Sequence, residues 1–327
     1  MKFSVIVPVF NRPDEIKELL ESLTKQTYKD FEVIIVEDGS EIDCREVVER
    51  YKSLLDIKYF YKENERPAIA RNYGARYATG DYLVFVDSDV IVPPQYFEVV
   101  NRELEKDPVD AYGGPDAAAK DFNALQKAIS YSMTAFITSG NIRGGEKIDK
   151  YYPRSFNMGV KKEVFEAIGG FPVTRMWPGE DMVFAIEIIR RGYRTRLIKD
   201  AYVYHKRRNT LKSFFRQVFR FGKTRYIISR VYPETFKIFY LLPSFFTLGT
   251  IGLILLALWK WWFILPVVLY AFVVFVDSLI SNKSLKVALL SVLTAFIQHF
   301  GYGLGFMAGI IKGDEYGVFE RGFYGNK

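Results

Sequence analysis

Tyr82-Leu83-Val84-Phe85-Val86-Asp87-Ser88-Asp89 is an apolar run that ends in two carboxylates one residue apart. Five successive apolar residues after the Thr79-Gly80-Asp81 turn read as a strand buried on both faces. Asp87 and Asp89 then stand at the strand's C-terminal edge, where open α/β sheets receive ligands. Two hard oxygen donors at that place suit Mg²⁺ or Mn²⁺ that also touches a diphosphate. Alone, an Asp-x-Asp is an ordinary loop sequence, and the rest of the chain decides its meaning.

Upstream, strand and helix alternate. Phe3–Phe10 is an apolar strand closed by Asn11-Arg12-Pro13, and Pro13 opens a helix over 14–25. Phe31–Val36 is a second strand, followed by a helix over 44–54, a strand over 57–61 and a helix from Pro67 to Ala78. This alternation predicts an α/β fold with a mostly parallel sheet and right-handed crossovers. Downstream, Pro93 starts a helix to about Lys106, Glu180–Arg191 forms another, and Thr195–Tyr204 reads as the last strand. The Gly- and charge-rich stretch 138–153 reads as a loop, and its part from Thr138 to Tyr152 is expected to shape acceptor choice.

Composition divides the chain. Hydrophobic residues make up 49% and aromatics 17%, and the excess lies in residues 236–312. Residues 1–205 have the make-up of a soluble domain. The formal charge is +7, and Lys206–Arg230 is basic without a single acid. Because that stretch abuts the apolar region, anionic lipid headgroups are its expected partner; no nucleic-acid-binding signature occurs. Cys44 is the sole cysteine, which excludes a disulfide within the chain and fits a reducing compartment. It reads as a packing or surface residue. The N-terminus lacks the features of a secretory signal, so the first domain is expected in the cytoplasm.

Four regions follow: a catalytic domain over 1–205, a basic amphipathic segment over 206–235, a membrane region over 236–312 and a tail over 313–327. Leu211–Ile228 places Phe214, Phe215, Val218 and Phe219 on one side and Lys212, Arg216 and Arg220 on the other, as a helix lying among headgroups does. The segments 238–258, 261–280 and 285–311 are each long enough to cross a hydrocarbon core of ~30 Å. Trp259, Trp261 and Trp262 sit at one junction like an interfacial belt. Gly301, Gly305 and Gly309 are spaced for close helix packing, and Gln298 and His299 for interhelical hydrogen bonds.

An ordered series of motifs covers residues 1–205: Ser4-Val5-Ile6-Val7-Pro8-Val9-Phe10-Asn11, Val36-Glu37-Asp38-Gly39-Ser40, Ala70-Arg71-Asn72-Tyr73-Gly74-Ala75, Gly80-Asp81-Tyr82, Asp87-Ser88-Asp89, Gly169-Gly170-Phe171 and Gly179-Glu180-Asp181. Each is weak alone. In this order they resemble the family 2 glycosyltransferases, inverting enzymes of the GT-A fold, a Rossmann-like, mostly parallel sheet. The resemblance implies a nucleotide-sugar donor held by Pro8, Val9, Phe10, Asp38, Arg71, Asp87 and Ser88. Phe10 would pack on the base or ribose, Asp38 would accept from a uracil N–H, and Arg71 would reach the base. The bland readings are a core Phe10, a turn-capping Asp38 and a surface Arg71. The resemblance further implies that Asp89 holds Mn²⁺ or Mg²⁺, with Asp87 on the ribose or the metal's water shell. His205 is either a further metal ligand or part of a hinge.

Inversion needs one general base. Asp181 matches the family's base and Glu180 is its neighbour and second candidate, although an acid at a helix start is also an ordinary cap. Gln217 and Arg220 resemble the Gln-x-x-Arg-Trp of membrane polysaccharide synthases, with Phe221 in place of Trp; either they line the acceptor side or the match is fortuitous. The expectation is a metal-dependent, membrane-anchored transferase of a bacterial inner membrane, taking sugar from a UDP donor to a lipid-linked or membrane-proximal glycan hydroxyl at the cytoplasmic face. The alternatives are a polyprenyl-phosphate glycosyltransferase of the dolichyl-phosphate-mannose synthase kind, and an inactive scaffold of a glycan-assembly complex. A nucleotidyltransferase is disfavoured because no glycine follows the first strand before Pro13. Oligomeric state stays open.

Overall fold

Alternation along β1 (Phe3–Val9) explains why its sequence is apolar at nearly every position. Val5, Val7 and Val9 enter one core cluster and Ile6 enters the other, on the opposite face of the sheet. The computed structural model describes residues 1–117, 122–140, 151–173 and 178–313. After β1 come α1 (Pro13–Thr24), β2 (Phe31–Asp38), α2 (Arg45–Tyr51), β3 (Ile57–Lys62), α3 (Pro67–Ala75) and β4 (Tyr82–Val86). Then follow β5 (Val90–Ile91), α4 (Tyr96–Lys106), β6 (Ala111–Gly113), β7 (Asp116–Ala117), α5 (Ala124–Thr134) and α6 (Phe136–Ser139). The domain closes with β8 (Asn157–Lys161), α7 (Lys162–Ile168), α8 (Glu180–Arg190), β9 (Thr195–Leu197) and β10 (Val203–His205).

The main sheet runs β3-β2-β1-β4-β8-β6-β9. β3, β2, β1 and β4 are mutually parallel, β8 is antiparallel to β4 and β6, and β9 is parallel to β6. This is the mostly parallel α/β architecture expected. A second sheet, β5-β10-β7, stands where the loop after Asp89 turns back.

Two local expectations are corrected. The strand expected over Thr195–Tyr204 is two strands in two sheets, because the chain turns at Ile198–Ala201 with the Ala201 N–H on the Ile198 carbonyl. Gly114 permits that turn: a β-carbon there would lie 1.6 Å from the Ala201 oxygen. The helix expected from Pro93 starts at Tyr96, since Pro94 keeps Pro93 out of the helical region.

Beyond the domain lie α9 (Leu211–Val231), α10 (Leu242–Ala257), α11 (Leu265–Asn282) and α12 (Leu285–Lys312). α10 and α11, with their leading turns, and α12 are three helices long and apolar enough to cross a membrane. The expected interhelical bonds form: Tyr270 Oη pairs with His299 Nε2 at 2.7 Å, and Gln298 Nε2 donates to the Thr138 carbonyl at 3.2 Å. Cys44 is buried, its Sγ 2.9 Å from Glu37 Oε2; burial and that carboxylate push its thiol well above the usual range. Most of the expected acceptor loop (141–150) and the tail from 314 lie outside the described residues.

Candidate active site

The C-terminal ends of β1, β2 and β4 bring the site together because parallel strands end on one edge. Pro8 is half-buried and the Val9 side chain enters the core, so these two shape the floor, while Phe10 stands 48% exposed at the rim. Asn11 takes φ 54°, donates its N–H to Ser40 Oγ at 2.7 Å and accepts from the Glu41 N–H at 2.9 Å. That pairing joins the loops after β1 and β2. Asp38 is buried, and its Oδ1 accepts from Lys62 Nζ at 2.8 Å and the Glu65 N–H at 3.0 Å.

Asp87, Asp89 and His205 converge where β4 ends and β10 ends. One ligand atom from each lies within 4.8 Å of the others. His205 stacks on Phe156 with ring centres 5.2 Å apart and points Nε2 at Asp89 Oδ1, 3.2 Å away. Asp89 Oδ1 is buried without a well-formed hydrogen bond. Two carboxylates and an imidazole with an unsatisfied buried oxygen fit a divalent cation. Ser88, between the two acids in sequence, is buried. Burial pushes the Asp89 carboxyl up, but His205 and Arg12 outweigh it and hold it well below the usual range. Conversely, burial lowers the His205 imidazole, and Asp89 and Asp87 raise it above its ordinary value.

Arg71 is not the surface residue of the bland reading. It is buried, with Nη2 2.8 Å from Asp87 Oδ1 and Nη1 3.2 Å from Glu180 Oε1, and its guanidinium lies 5.5 Å from the Phe171 ring centre. It therefore ties the acids after β4 to the start of α8. Asn72, next in sequence, accepts from the Phe171 N–H at 2.8 Å and donates to the Phe171 carbonyl at 2.9 Å. Ala70-Arg71-Asn72 and Gly169-Gly170-Phe171 are thus two halves of one joint. Gly170, at φ 78°, leaves no room for a β-carbon beside Asn72 Oδ1.

Glu180 and Asp181 occupy the first turn of α8, and both are buried. Asp181 Oδ2 lies 2.7 Å from Arg154 Nε and 3.4 Å from the Ser155 amide, and Oδ1 accepts from Met182 N at 2.7 Å. Burial pushes both carboxyls up, but the outcomes diverge. Glu180, beside Asp181, ends above its ordinary value in spite of Arg71. Asp181 ends below its ordinary value because Arg154 and Arg71 outweigh burial. Neighbouring acids driven apart in this way are suited to different duties.

Sequence reasoning missed two members of the site. Arg12 places Nη1 2.5 Å from Asp89 Oδ2, and Arg154 salts Asp181. The turn Asn11-Arg12-Pro13 was a visible signal for the first; nothing local marks the second. Gln217, half-buried, and Arg220, exposed, sit on α9 about two turns and one turn before Thr224, whose hydroxyl donates to the Pro178 carbonyl at 2.9 Å ahead of α8. Met182 and Ile186 of α8 pack against Ile227 and Ile228 of α9.

The fold agrees with known proteins. An uncharacterised glycosyltransferase of Rickettsia felis is 42% identical over 105 residues, 32% of this chain and 17% of that protein, so the chain matches under a fifth of that relative's length. Staphylococcus aureus TarS 1–349 in complex with UDP-GlcNAc has a similar fold, with a TM-score of 0.52 at 23% identity over 69% of this chain and 66% of that one. A mannosyltransferase of Pyrobaculum calidifontis, solved with GDP-Man and Mn²⁺, is similar over 95% of this chain and 86% of its own, with a TM-score of 0.59 at 18% identity. The fold is GT-A. Residues 4–169, half of the chain, match the family described as Glycosyl transferase family 2 and include the strands that carry Asp38, Asp87 and Asp89, and to that family this protein belongs.

Proposed function

We propose that this family 2 glycosyltransferase moves a sugar, with inversion, from a UDP-sugar to a hydroxyl of a lipid-linked or membrane-proximal glycan, at the cytoplasmic face of a bacterial inner membrane. The observation that carries the reading is the chain of contacts Asp89–His205, Asp87–Arg71–Glu180 and Asp181–Arg154 along one edge of the sheet. On this reading the acids at one end would bind a cation and Asp181 at the other would act as base, side by side as a displacement at a sugar carbon requires. The nucleotide sugars held by TarS and by the Pyrobaculum enzyme support a donor of that class.

Asp87, Asp89 and His205 would hold a divalent cation, which when bound supplies the charge that neutralises the departing diphosphate. Exposed Phe10 offers a flat face to the base or ribose, and Asp38 keeps an oxygen for a ring N–H. Asp181 takes the acceptor's hydroxyl proton as the new C–O bond forms at the anomeric carbon and the bond to the diphosphate breaks on the opposite face. Glu180, held by Arg71, positions the start of α8. Gln217 and Arg220 would face the acceptor from α9, and the basic stretch after His205 would meet anionic headgroups.

The test is nucleoside diphosphate release by the detergent-purified protein with Mn²⁺ and a panel of UDP-, GDP- and dTDP-sugars. Release from one donor that is lost in Asp89→Ala supports the reading. Release unaffected by that substitution, or no UDP binding by calorimetry, rejects it. The polyprenyl-phosphate alternative rests on the exposed cations Arg216 and Arg220 of α9, which suit a lipid phosphate. A phosphate oxygen needs no strong base, so Asp181→Asn spares that transfer and abolishes hydroxyl transfer.

A further inference from the structure

β2 and β3 end side by side, and their last residues are register partners: Asp38 stands beside Lys62. Neighbours in a parallel register project to one face of the sheet, so an acid and a cation meet at the edge that carries the site. Lys62 Nζ donates to Asp38 Oδ1 at 2.8 Å and to the Glu63 carbonyl, and lies 2.9 Å from Glu65 Oε2. An ammonium has three N–H groups, so Lys62 keeps none for a ligand. The Glu65 N–H also donates to Asp38 Oδ1, at 3.0 Å. Both lone pairs of that oxygen are therefore in use. Asn64 Nδ2 donates to the Asp38 carbonyl at 2.9 Å and fixes the backbone beneath.

The second oxygen is different. Asp38 is buried, yet its Oδ2 accepts from none of the described residues and is not sealed from solvent. It is a single open acceptor whose direction is set by Lys62 and the Glu65 amide. Around it the rim is open. Phe10 is 48% and Tyr61 50% exposed, and both are tied to Ser40: the Tyr61 hydroxyl donates to its carbonyl at 3.2 Å, and the Asn11 N–H donates to its Oγ at 2.7 Å. With both rings open to solvent, ring size does not by itself choose a base, and the hydrogen-bond pattern at Asp38 does.

We infer that Lys62 determines which base the donor site accepts. It acts through Asp38 and is a positioning residue: with Oδ1 filled, the carboxylate offers a base one acceptor, Oδ2. Uracil and thymine present one ring N–H between two carbonyls, and one acceptor satisfies it. Guanine presents a ring N–H and an amino group side by side, and its second donor finds Oδ1 taken; a donor left unmet weakens binding by about tenfold or more. Cytosine presents a ring nitrogen lone pair, which a carboxylate oxygen repels. The class selected is a pyrimidine with a ring N–H. This rests on the proposed reading of the edge as a nucleotide-sugar site with Asp38 at the base. The same lock fixes orientation. In Asp38→Asn the two donors at the Oδ1 position admit only the amide oxygen, so the amide NH₂ takes the place of Oδ2 and faces the base.

Calorimetry of the detergent-purified full chain with UDP, CDP and GDP, each with Mn²⁺, tests this. Affinities are compared as ratios within one protein, so a general loss of stability does not imitate the result. Wild type should bind UDP about tenfold or more tightly than CDP or GDP. Asp38→Asn should invert the pyrimidine order, to CDP over UDP. Adding Lys62→Met to Asp38→Asn frees the amide to turn, and UDP should recover relative to CDP. Lys62→Met alone opens Oδ1 to the second donor of guanine and should raise GDP relative to UDP by about tenfold. Lys62→Arg keeps a cation on Oδ1 and should hold the wild-type ratio. Asp38→Asn that still prefers UDP, a GDP-to-UDP ratio unmoved by Lys62→Met, or a wild type that prefers GDP or CDP overturns the inference and leaves the donor site standing. A wild type that binds none of the three rejects the donor site and the inference with it. If Lys62→Met binds nothing, the order of CDP and UDP in Asp38→Asn decides alone.

Discussion

Arg154 Nε lies 2.7 Å from Asp181 Oδ2, so the carboxylate proposed as the general base is paired with a cation 27 positions earlier in the chain. Burial alone would raise the Asp181 carboxyl, and Arg154, with Arg71, brings it below its ordinary value. The acidic limb of the pH–rate profile should therefore lie low in the wild type. Arg154→Gln removes the main opposing charge, the carboxyl rises, and the limb moves to higher pH. Asp181→Asn should lower kcat by roughly 10²–10⁴-fold, the usual contribution of a general base, with nucleotide binding unchanged. A limb that stays in place in Arg154→Gln would assign the base elsewhere.

Arg12 occupies one oxygen of the acid that best fits a metal ligand, at 2.5 Å from Asp89 Oδ2. The Arg12 charge on Oδ2 repels a divalent ion on the neighbouring Oδ1, so the two compete for one carboxylate. Arg12→Ala should tighten Mn²⁺ binding in the absence of nucleotide, by a few-fold up to about tenfold for a partly exposed pair. It should weaken nucleoside diphosphate binding, since the guanidinium is in reach of an anion at the same edge. Calorimetric titration with Mn²⁺ alone and then with UDP separates the two effects; equal weakening of both would show that Arg12 only holds the loop.

Legibility in the sequence follows the range of the interaction. β1, β2 and β4 are buried on both faces, so their sequences are apolar without alternation and their ends mark the site. Asp87, Asp89 and the Glu180-Asp181 pair were visible because each sits where a strand or helix begins or ends. Arg71 was visible as a residue but its ion-pair partners were not, because Asp87 and Glu180 are brought to it by long-range packing that includes the Asn72–Phe171 joint. The division of Thr195–Tyr204 between two sheets depends on the passage of Ala201 over Gly114, a contact 87 residues apart that no local pattern reveals. For α12, hydropathy reports length and greasiness, while the side it presents to α5 and α9 is written only in Thr294 and the glycines.

Glu32 carries a stability prediction. It is buried beneath the sheet, with Oε1 2.7 Å from Ser4 Oγ and 2.6 Å from the Thr79 amide, and Oε2 2.7 Å from Lys58 Nζ. Burial pushes its carboxyl up, but Lys58, Ser4 and Thr79 overcome this and bring it down to about 2. A depressed folded-state value means the stabilisation is full above the unfolded value near 4.5 and is lost as pH falls toward about 2. The shift corresponds to roughly 3 kcal/mol at neutral pH. Thermal melts of wild type and Glu32→Gln between pH 7 and pH 3 should converge as pH falls; a constant gap would mean that Glu32 acts by shape and not by charge.

The α9–α12 pairing offers a last test, this time of mechanical coupling. At Gly305 a β-carbon would sit 2.0 Å from the Phe219 carbonyl oxygen, a rigid backbone atom, so even alanine forces the helices apart. At Gly249, on α10, the same β-carbon meets nothing within 4 Å. Gly305→Val should therefore cost about 2 kcal/mol or more, as overpacking at a tight contact does, while Gly249→Val stays near neutral in detergent. The wedge should reach the site as well, because α9 carries Thr224 on Pro178 and Ile227 against α8. Loss of sugar transfer to a membrane-bound acceptor, with nucleotide binding kept, is the expected signature of Gly305→Val. Equal loss of nucleotide binding would indicate global unfolding instead of displacement of the domain from its anchor.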